Sequence, residues 1–240
     1  MASVLDLALD ADTYIALLSK FMDVAEHVQN APSLGLIPKE DLISDIVLEE
    51  LSPYLKQNGG VIEAKRIAFH EGRGHLILQY PGATKPEETI NFVGMHMDVV
   101  PANPEGWERD PFKLSMNEDI SALEGRGPHS KYTLPKEELV GKLELTLGDH
   151  SIEGIACALD SIGFQSFSNA TKEVKGESTP FAIMGSLPLV RDLQRAGLDL
   201  TLAGFGKSSV YHGDNEFCSL ADMQDALLIL GRFIHNVDSA

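Results

Sequence analysis

Twelve residues near the middle of the chain, Thr89 to Val100, constrain its fold more than any other stretch. From Ile90 the text runs INFVGMHMDVV, apolar almost throughout. A short continuous apolar run is what a strand covered on both faces requires. It is therefore expected at the centre of a sheet. Ahead of it, Tyr14, Ile15, Leu18, Phe21, Met22, Ala25 and Val28 recur at helical spacing and predict a helix over 12–29. The segment NAPSLGLIP breaks that helix. Pro38 opens a second one along Leu42, Ile43, Ile46, Val47 and Leu51, and Gly59-Gly60 stops it. Val61 to Phe69 and His75 to Tyr80 read as two further strands around an EGRG turn. Helices, then strands, then more helices towards the C-terminus predict an α/β layer fold.

After the apolar run the pattern dissolves. From Pro101 to Pro135 the chain is rich in Pro, Gly, Asn, Glu and Ser. A structureless stretch of about 35 residues is uncommon inside a compact domain, so it is either functional or irregular. Beyond it, KLELTL (142–147) alternates like a strand, 152–174 is helical in part, and Phe181 to Met184 and Asp199 to Phe205 read as strands. Leu187 to Ala196 reads as a helix. Ser219 and Asp222 form a capping-box-like start to a final helix, with Leu220, Met223, Ala226, Leu227, Leu230, Phe233, Ile234 and Val237 on one face.

Composition narrows the partners. With 240 residues, one single α/β domain is expected over 1–240. Lys and Arg number 19 against 36 Asp and Glu, a formal charge of −17. That sign argues against nucleic acid and against an anionic membrane, both of which reward clustered cations. Cys157 and Cys218 are too few for a disulfide framework and are expected as reduced thiols. The first residues, MASVLDLALDADTY, have no basic region and are too acidic for a signal or transit peptide. No apolar run approaches a membrane span. A soluble, cytoplasmic protein is expected.

Most of the eight histidines have an ordinary explanation. His27 and His235 lie on amphipathic helices; His70, His75 and His150 lie in or beside turns. His96 differs, because strand alternation would place it on the same face as Asp98, at the carboxyl end of a strand where ligands gather in open α/β sheets. A neutral imidazole can bind a metal through one nitrogen while the other donates to a carboxylate that orients it. A histidine and an aspartate sharing a hydrogen bond in a turn would explain the tripeptide equally well. The second candidate is His212 in YHGDNEF, where Asp214, Asn215 and Glu216 concentrate metal-compatible donors at a loop–helix junction. There the alternative is that Asn215, Glu216 and Ser219 only organise the helix start.

In combination these motifs resemble a known family. GMHMDVVPANPEGWERDPF is similar to the first metal motif of the zinc-dependent aminoacylase, carboxypeptidase and acetylornithine deacetylase family, and YHGDNEF before a long helix is similar to its last. The flanking segments FMDVAEHVQNAP, GLIPKEDL, EGRGHLILQYPG, RGPHSKYTLP and GSLPLVRDLQRAG resemble eukaryotic acetylornithine deacetylase-like members. The resemblance implies a zinc-exopeptidase-like catalytic domain with a mixed, mostly parallel sheet flanked by helices. It implies that His96 binds one zinc, that Asp98 orients it as part of the catalytic apparatus, and that His212 binds a second zinc, with cobalt or manganese able to take its place. The implied reaction is hydrolysis of N-acetylornithine or a similar small N-acyl amino acid, in arginine and ornithine metabolism. In that chemistry a metal activates water, a glutamate is general base and the metals stabilise the oxyanion.

The chain also departs from the family. After the first motif the family carries GRG and then a bridging Asp, followed later by a Glu-Glu pair, a further carboxylate and an inserted lid or dimerisation domain. Here Gly125-Arg126-Gly127 is followed at once by Pro128-His129-Ser130-Lys131, which resembles text near the end of the lid. The central ligands, the base and most of the lid are therefore expected to be missing as one block, between an N-terminal part (1–120) and a C-terminal part (128–240). Glu137-Glu138 is a poor substitute, because the base should follow an apolar strand; Glu49-Glu50 lies on a helix and reads as a solvated face, and Asp110 and Asp119 are loop carboxylates in reach by sequence only. Two functions follow: an amidohydrolase of this type, or an inactive remnant of one that acts by binding. Little or no hydrolysis is expected. Lost strands would expose apolar edges and predict self-association.

Overall fold

The computed structural model describes residues 4–82, 90–92, 95–116, 141, 146, 155–180, 190–211 and 213–239. They divide into two units. One gathers the described residues of 10–116 together with 213–216; the other gathers 4–9, the described residues from 141 to 211, and 217–239.

In the first unit, helix α1 spans Ala11–Val24. Asp10 caps it: Oδ1 accepts from the Thr13 amide at 3.2 Å and Oδ2 accepts from the Thr13 hydroxyl at 2.8 Å. The helical pattern does continue to Val28, as a 3-10 turn over Ala25–Val28, and that turn carries the buried side chains Ala25 and Val28. Helix α2 spans Asp41–Glu50 and starts later than Pro38. The delay comes from contacts with residues distant in sequence. The Lys39 amide donates to the His27 carbonyl at 3.1 Å, holding Pro38-Lys39 against the end of the first helix. Glu40, at the N-cap position, makes no cap bond and pairs with Arg73 at 2.8 Å. Pro53 falls in a 3-10 turn, Ser52–Tyr54, ahead of the expected stop at Gly59-Gly60.

Strands β1 (Glu63–His70) and β2 (Arg73–Gln79) form an antiparallel hairpin, with Glu63 opposite Gln79 and Ile67 opposite His75. Gly72 supplies the left-handed conformation of the turn at φ +75°. The hairpin confirms the two expected strands to within a residue or two at each end. Its turn is tied to α2 by the Asp41 amide, which donates to the Gly72 carbonyl at 3.1 Å.

The run expected as a central strand differs. Residues 83–89, 93 and 94 lie outside the described residues. Among the described remainder no strand forms, and Val99 makes an isolated parallel bridge with Gln29. Met95 is 77% exposed and Phe92 50% exposed. A strand covered on both faces needs a hydrogen-bonded neighbour on each side and a layer above and below. The described residues give this run that one bridge and leave most of its side chains exposed. Helices and a sheet do occur together, in keeping with an α/β chain, but the sheet formed by the described residues is two-stranded and antiparallel.

In the second unit, α3 (Ile162–Lys175) packs against α5 (Leu220–Asp238). Both begin on a serine cap: Ser161 Oγ accepts from the Phe164 amide at 3.1 Å, and Ser219 Oγ accepts from the Asp222 amide at 3.0 Å. Ser166 and Ala170 of α3 and Ala226 and Ile229 of α5 are buried, while Gly231 of α5 lies against Val4 and Leu7, where a β-carbon would collide with the Val4 carbonyl. Phe167 stacks edge-on to Phe233 at 5.7 Å between ring centres. Gln224 clasps the chain's first described residues, accepting from the Leu9 amide at 2.6 Å and donating to the Leu7 carbonyl at 3.0 Å. Helix α4, Val190–Arg195, lies within the expected 187–196. Asp199 to Phe205, expected as a strand, has no strand partner among the described residues, and Asp199 instead accepts from the Gly163 amide at the start of α3. The strands expected at 142–147 and 181–184 fall outside the described residues, Thr146 apart.

Candidate functional site

The first motif leaves the apolar run as an irregular loop clamped to the end of the first helix. Backbone bonds make the clamp: the Val99 amide donates to the Val28 carbonyl at 3.0 Å, and the Asn30 amide donates to the Val99 carbonyl at 2.8 Å. Gln29, only 8% exposed, adds a side-chain brace. Its Nε2 donates to the Glu26 carbonyl at 3.1 Å, and its Oε1 accepts from the Ala102 amide at 3.0 Å. Met97 turns inward, where its sulfur accepts from the fully buried Ser44 hydroxyl at 3.6 Å. His96 and Asp98 are left together on the outer side, as the alternation of the sequence predicts, although the segment is not a strand.

His96 Nδ1 lies 3.0 Å from Asp98 Oδ1 and 2.9 Å from the Asp98 carbonyl oxygen. Both oxygens accept, so Nδ1 must carry the hydrogen. The neutral ring then presents the lone pair of Nε2 outward. This is the tautomer a metal-binding histidine needs, with the carboxylate as its orienting partner. Side-chain exposure is 66% for His96 and 26% for Asp98, so the pair sits at the surface with the carboxylate on the inner side. The other carboxylate oxygen, Oδ2, accepts from Asn30 Nδ2 at 2.6 Å. Arg73 stands close enough for its charge to be influenced by Asp98. Its guanidinium is held above its usual pKa, first by the hydrogen bond it donates to Glu40 and then by the Glu40 and Asp98 charges.

Downstream of the histidine, a 3-10 turn at Pro104–Gly106 meets the segment of the second motif. The Glu108 amide donates to Asn215 Oδ1 at 2.9 Å. Asn215 is the one non-glycine among the described residues in the left-handed region, at φ +60°, a conformation asparagine tolerates. Gly106 lies so near the Asp214 carboxylate that a β-carbon there would collide with it. The structure thus brings the GDNE segment beside the EGWE segment of the first motif, a contact that sequence spacing gave no means of foreseeing. His212 itself lies outside the described residues, as do Glu137-Glu138, Asp119 and His150. Ser219 does organise the helix start, as one alternative for this region held.

Whether these residues suit a metal is a matter of donor number. Structural and catalytic zinc sites use three or four protein ligands. Among the described residues no group of three or more His, Cys, Asp or Glu is placed to hold a metal ion. His96 has the right tautomer and partner, but the described residues do not complete a site around it. Asn30, Gln29 and Arg73 were missed from the sequence. Their one sequence signal is the polar Gln29-Asn30 pair, set between an apolar helix and Pro32 within FMDVAEHVQNAP.

No family model matches the chain, and no solved structure matches it. Two proteins of known name do. The chain is 26% identical to the acetylornithine deacetylase of Arabidopsis thaliana over 428 aligned positions, covering 96% of this chain and 97% of that protein. It is 43% identical to the acetylornithine deacetylase of Dictyostelium discoideum over 145 residues, 58% of this chain and 31% of that protein. Both relatives are deacetylases by name. In sequence, the chain is similar to these two acetylornithine deacetylases.

The first alignment also measures a deficit. It runs over 428 positions and the chain has 240 residues, so at least 188 of those positions (428 less 240) have no residue of this chain opposite them. An alignment begins and ends on matched residues, which puts that deficit inside the aligned span.

Proposed function

We propose that the chain is a shortened relative of zinc-dependent amidohydrolases that act on N-acetylornithine or a similar N-acyl amino acid. It keeps the histidine–aspartate pair of the first metal motif but not a complete catalytic centre. The internal deficit of at least 188 positions against a relative matched near both ends carries this proposal. What remains is consistent with binding. His96, oriented by Asp98, supplies one outward nitrogen donor, and His212 is proposed as a second. Zinc, if it binds, would serve as the electrophile. With two donors and no bridging carboxylate it would be held weakly. The missing general base alone removes about 10²–10⁴ in rate. Hydrolysis by this chain is therefore proposed to be slow or lost, and its remaining activity to be binding of a small N-acyl amino acid.

Purified protein tests this directly through its zinc content and through release of ornithine from N-acetylornithine. Substoichiometric zinc and no turnover above a His96→Ala control are expected. Near-stoichiometric zinc, with turnover abolished by His96→Ala, would overturn the proposal and make the chain a complete enzyme. Sequencing the transcript across residues 117–128 tests the deficit independently, and continuous coding for a longer protein there would remove its basis.

A further inference from the structure

The two oxygens of the Asp98 carboxylate have different partners. Oδ1 faces His96 Nδ1 at 3.0 Å, and Oδ2 accepts from Asn30 Nδ2 at 2.6 Å. A carboxylate attached by a single rotatable arm can turn about its terminal torsion, which is broad and weakly restrained. One hydrogen bond to an exposed histidine does not stop it turning. A second bond at the opposite oxygen does, because rotation that keeps one contact breaks the other.

Asn30 is well placed for this task. Its own backbone is fixed by the bond from its amide to the Val99 carbonyl, and the preceding Gln29 is braced against Ala102. The side-chain amide therefore starts from a fixed point beside the loop it restrains. It is also neutral, so it holds the carboxylate without adding a charge next to the imidazole.

From this we infer that Asn30 is a positioning residue: by holding Asp98 Oδ2 it presents Oδ1 to His96 and, together with the Asp98 carbonyl oxygen 2.9 Å from the same Nδ1, keeps that imidazole in the Nδ1–H tautomer with Nε2 outward. The inference rests on the proposal that His96 is a metal donor only for its functional meaning, since the hydrogen-bond relay can be measured without any metal.

The test uses the full-length chain labelled with ¹⁵N-histidine, at about pH 8 where an ordinary histidine is neutral. Multiple-bond ¹H–¹⁵N spectra report each ring's tautomer, and His96→Ala assigns the His96 signals. In the unaltered protein His96 is expected mainly as Nδ1–H, while exposed His235 serves as the internal reference. Asn30→Ala and the near-isosteric Asn30→Asp both remove the donor while leaving the backbone bonds in place. Each is expected to move the His96 equilibrium about threefold or more towards Nε2–H, the scale of one weakened hydrogen bond. Asn30→Asp, which adds a repelling carboxylate, should move it further. Unchanged Val99 and Ala102 amide signals would show that the loop stays clamped.

Unaltered tautomer populations in both variants, with the loop signals intact, overturn the inference. Zinc added to the unsubstituted protein then separates the two proposals. A zinc-induced shift at His96 Nε2 with no effect of Asn30 substitution keeps the metal reading and rejects the positioning role. A tautomer change on substitution without any zinc response keeps the positioning role and rejects the metal reading.

Discussion

Replacing Gln29 with alanine should release the loop that carries His96 and Asp98. The side chain makes two hydrogen bonds across 73 residues of sequence and three: its Oε1 accepts from the Ala102 amide and its Nε2 donates to the Glu26 carbonyl. A typical intramolecular hydrogen bond contributes about 0.5–1.5 kcal/mol net, and a buried partner left unpaired costs about 1–3 kcal/mol. Gln29 is 8% exposed, whereas Ala102 is only half-buried, so water can partly replace the lost acceptor there. About 2 kcal/mol is therefore expected for the pair. At tenfold per 1.4 kcal/mol, this is roughly a 30-fold loss of protection when the Ala102 amide exchanges through local opening. Native-state hydrogen exchange followed by NMR measures it at that amide. Gln29→Glu separates the two bonds, since a carboxylate still accepts from Ala102 but cannot donate to Glu26, and it should keep most of the Ala102 protection. If Gln29→Ala leaves Ala102 protected to within about threefold, the brace does not hold the loop and the reasoning is wrong.

Ser219→Ala removes the cap of α5, whose Oγ accepts from the Asp222 amide and donates to Asp222 Oδ2 at 2.7 Å. A loss of about 1 kcal/mol is expected in urea unfolding followed at the α5 amides, and a change below about 0.3 kcal/mol would contradict it. Gly106→Ala should drive the Asp214 carboxylate away and break the bond between the Glu108 amide and Asn215. The expected sign is a shift of the Glu108 amide resonance with α3 and α5 signals unmoved. The Asp10 carboxyl is held below its usual range, first by the hydrogen bond from the Thr13 amide and then by that from the Thr13 hydroxyl. A depressed folded pKa means that the cap's contribution is present above the unfolded value of 3.8 and is lost as pH falls through the lower folded value. The Thr13 amide shift should therefore titrate with a midpoint below 3.8 and become independent of pH in this range in Asp10→Asn.

Local patterns were legible where the cause is local. The period of Tyr14 to Val28, the capping Ser219 and the EGRG turn each depend on residues within a few positions, and α1, α5 and the hairpin stand where those signals lie. Boundaries failed where a distant partner intervened. Pro38 was expected to open the second helix, yet Arg73 takes the side chain of Glu40 and α2 begins at Asp41 without a side-chain cap. The apolar run at 89–100 failed for a related reason. Apolar composition says that a segment prefers to be covered, but not whether neighbours exist to cover it, and Met95 stands 77% exposed.

The same division holds at the candidate site. The sequence by itself determined the chemical identity of the pair, because His96 and Asp98 lie two apart, the spacing that turns both to one side of an extended segment. It also determined the kinship, carried by motifs in a fixed order and matched by the two deacetylase relatives. Only the tertiary structure decided which nitrogen of His96 faces outward, that Asn30 holds the far oxygen of Asp98, and that the GDNE segment rests beside Gly106 and Glu108. Apart from the His96–Asp98 contact, whose partners lie two apart, the hydrogen bonds among these join residues 68 and 107 positions apart. Hydrogen bonds at such separations form only after the chain has closed the intervening loops, so no local pattern of residue types encodes them.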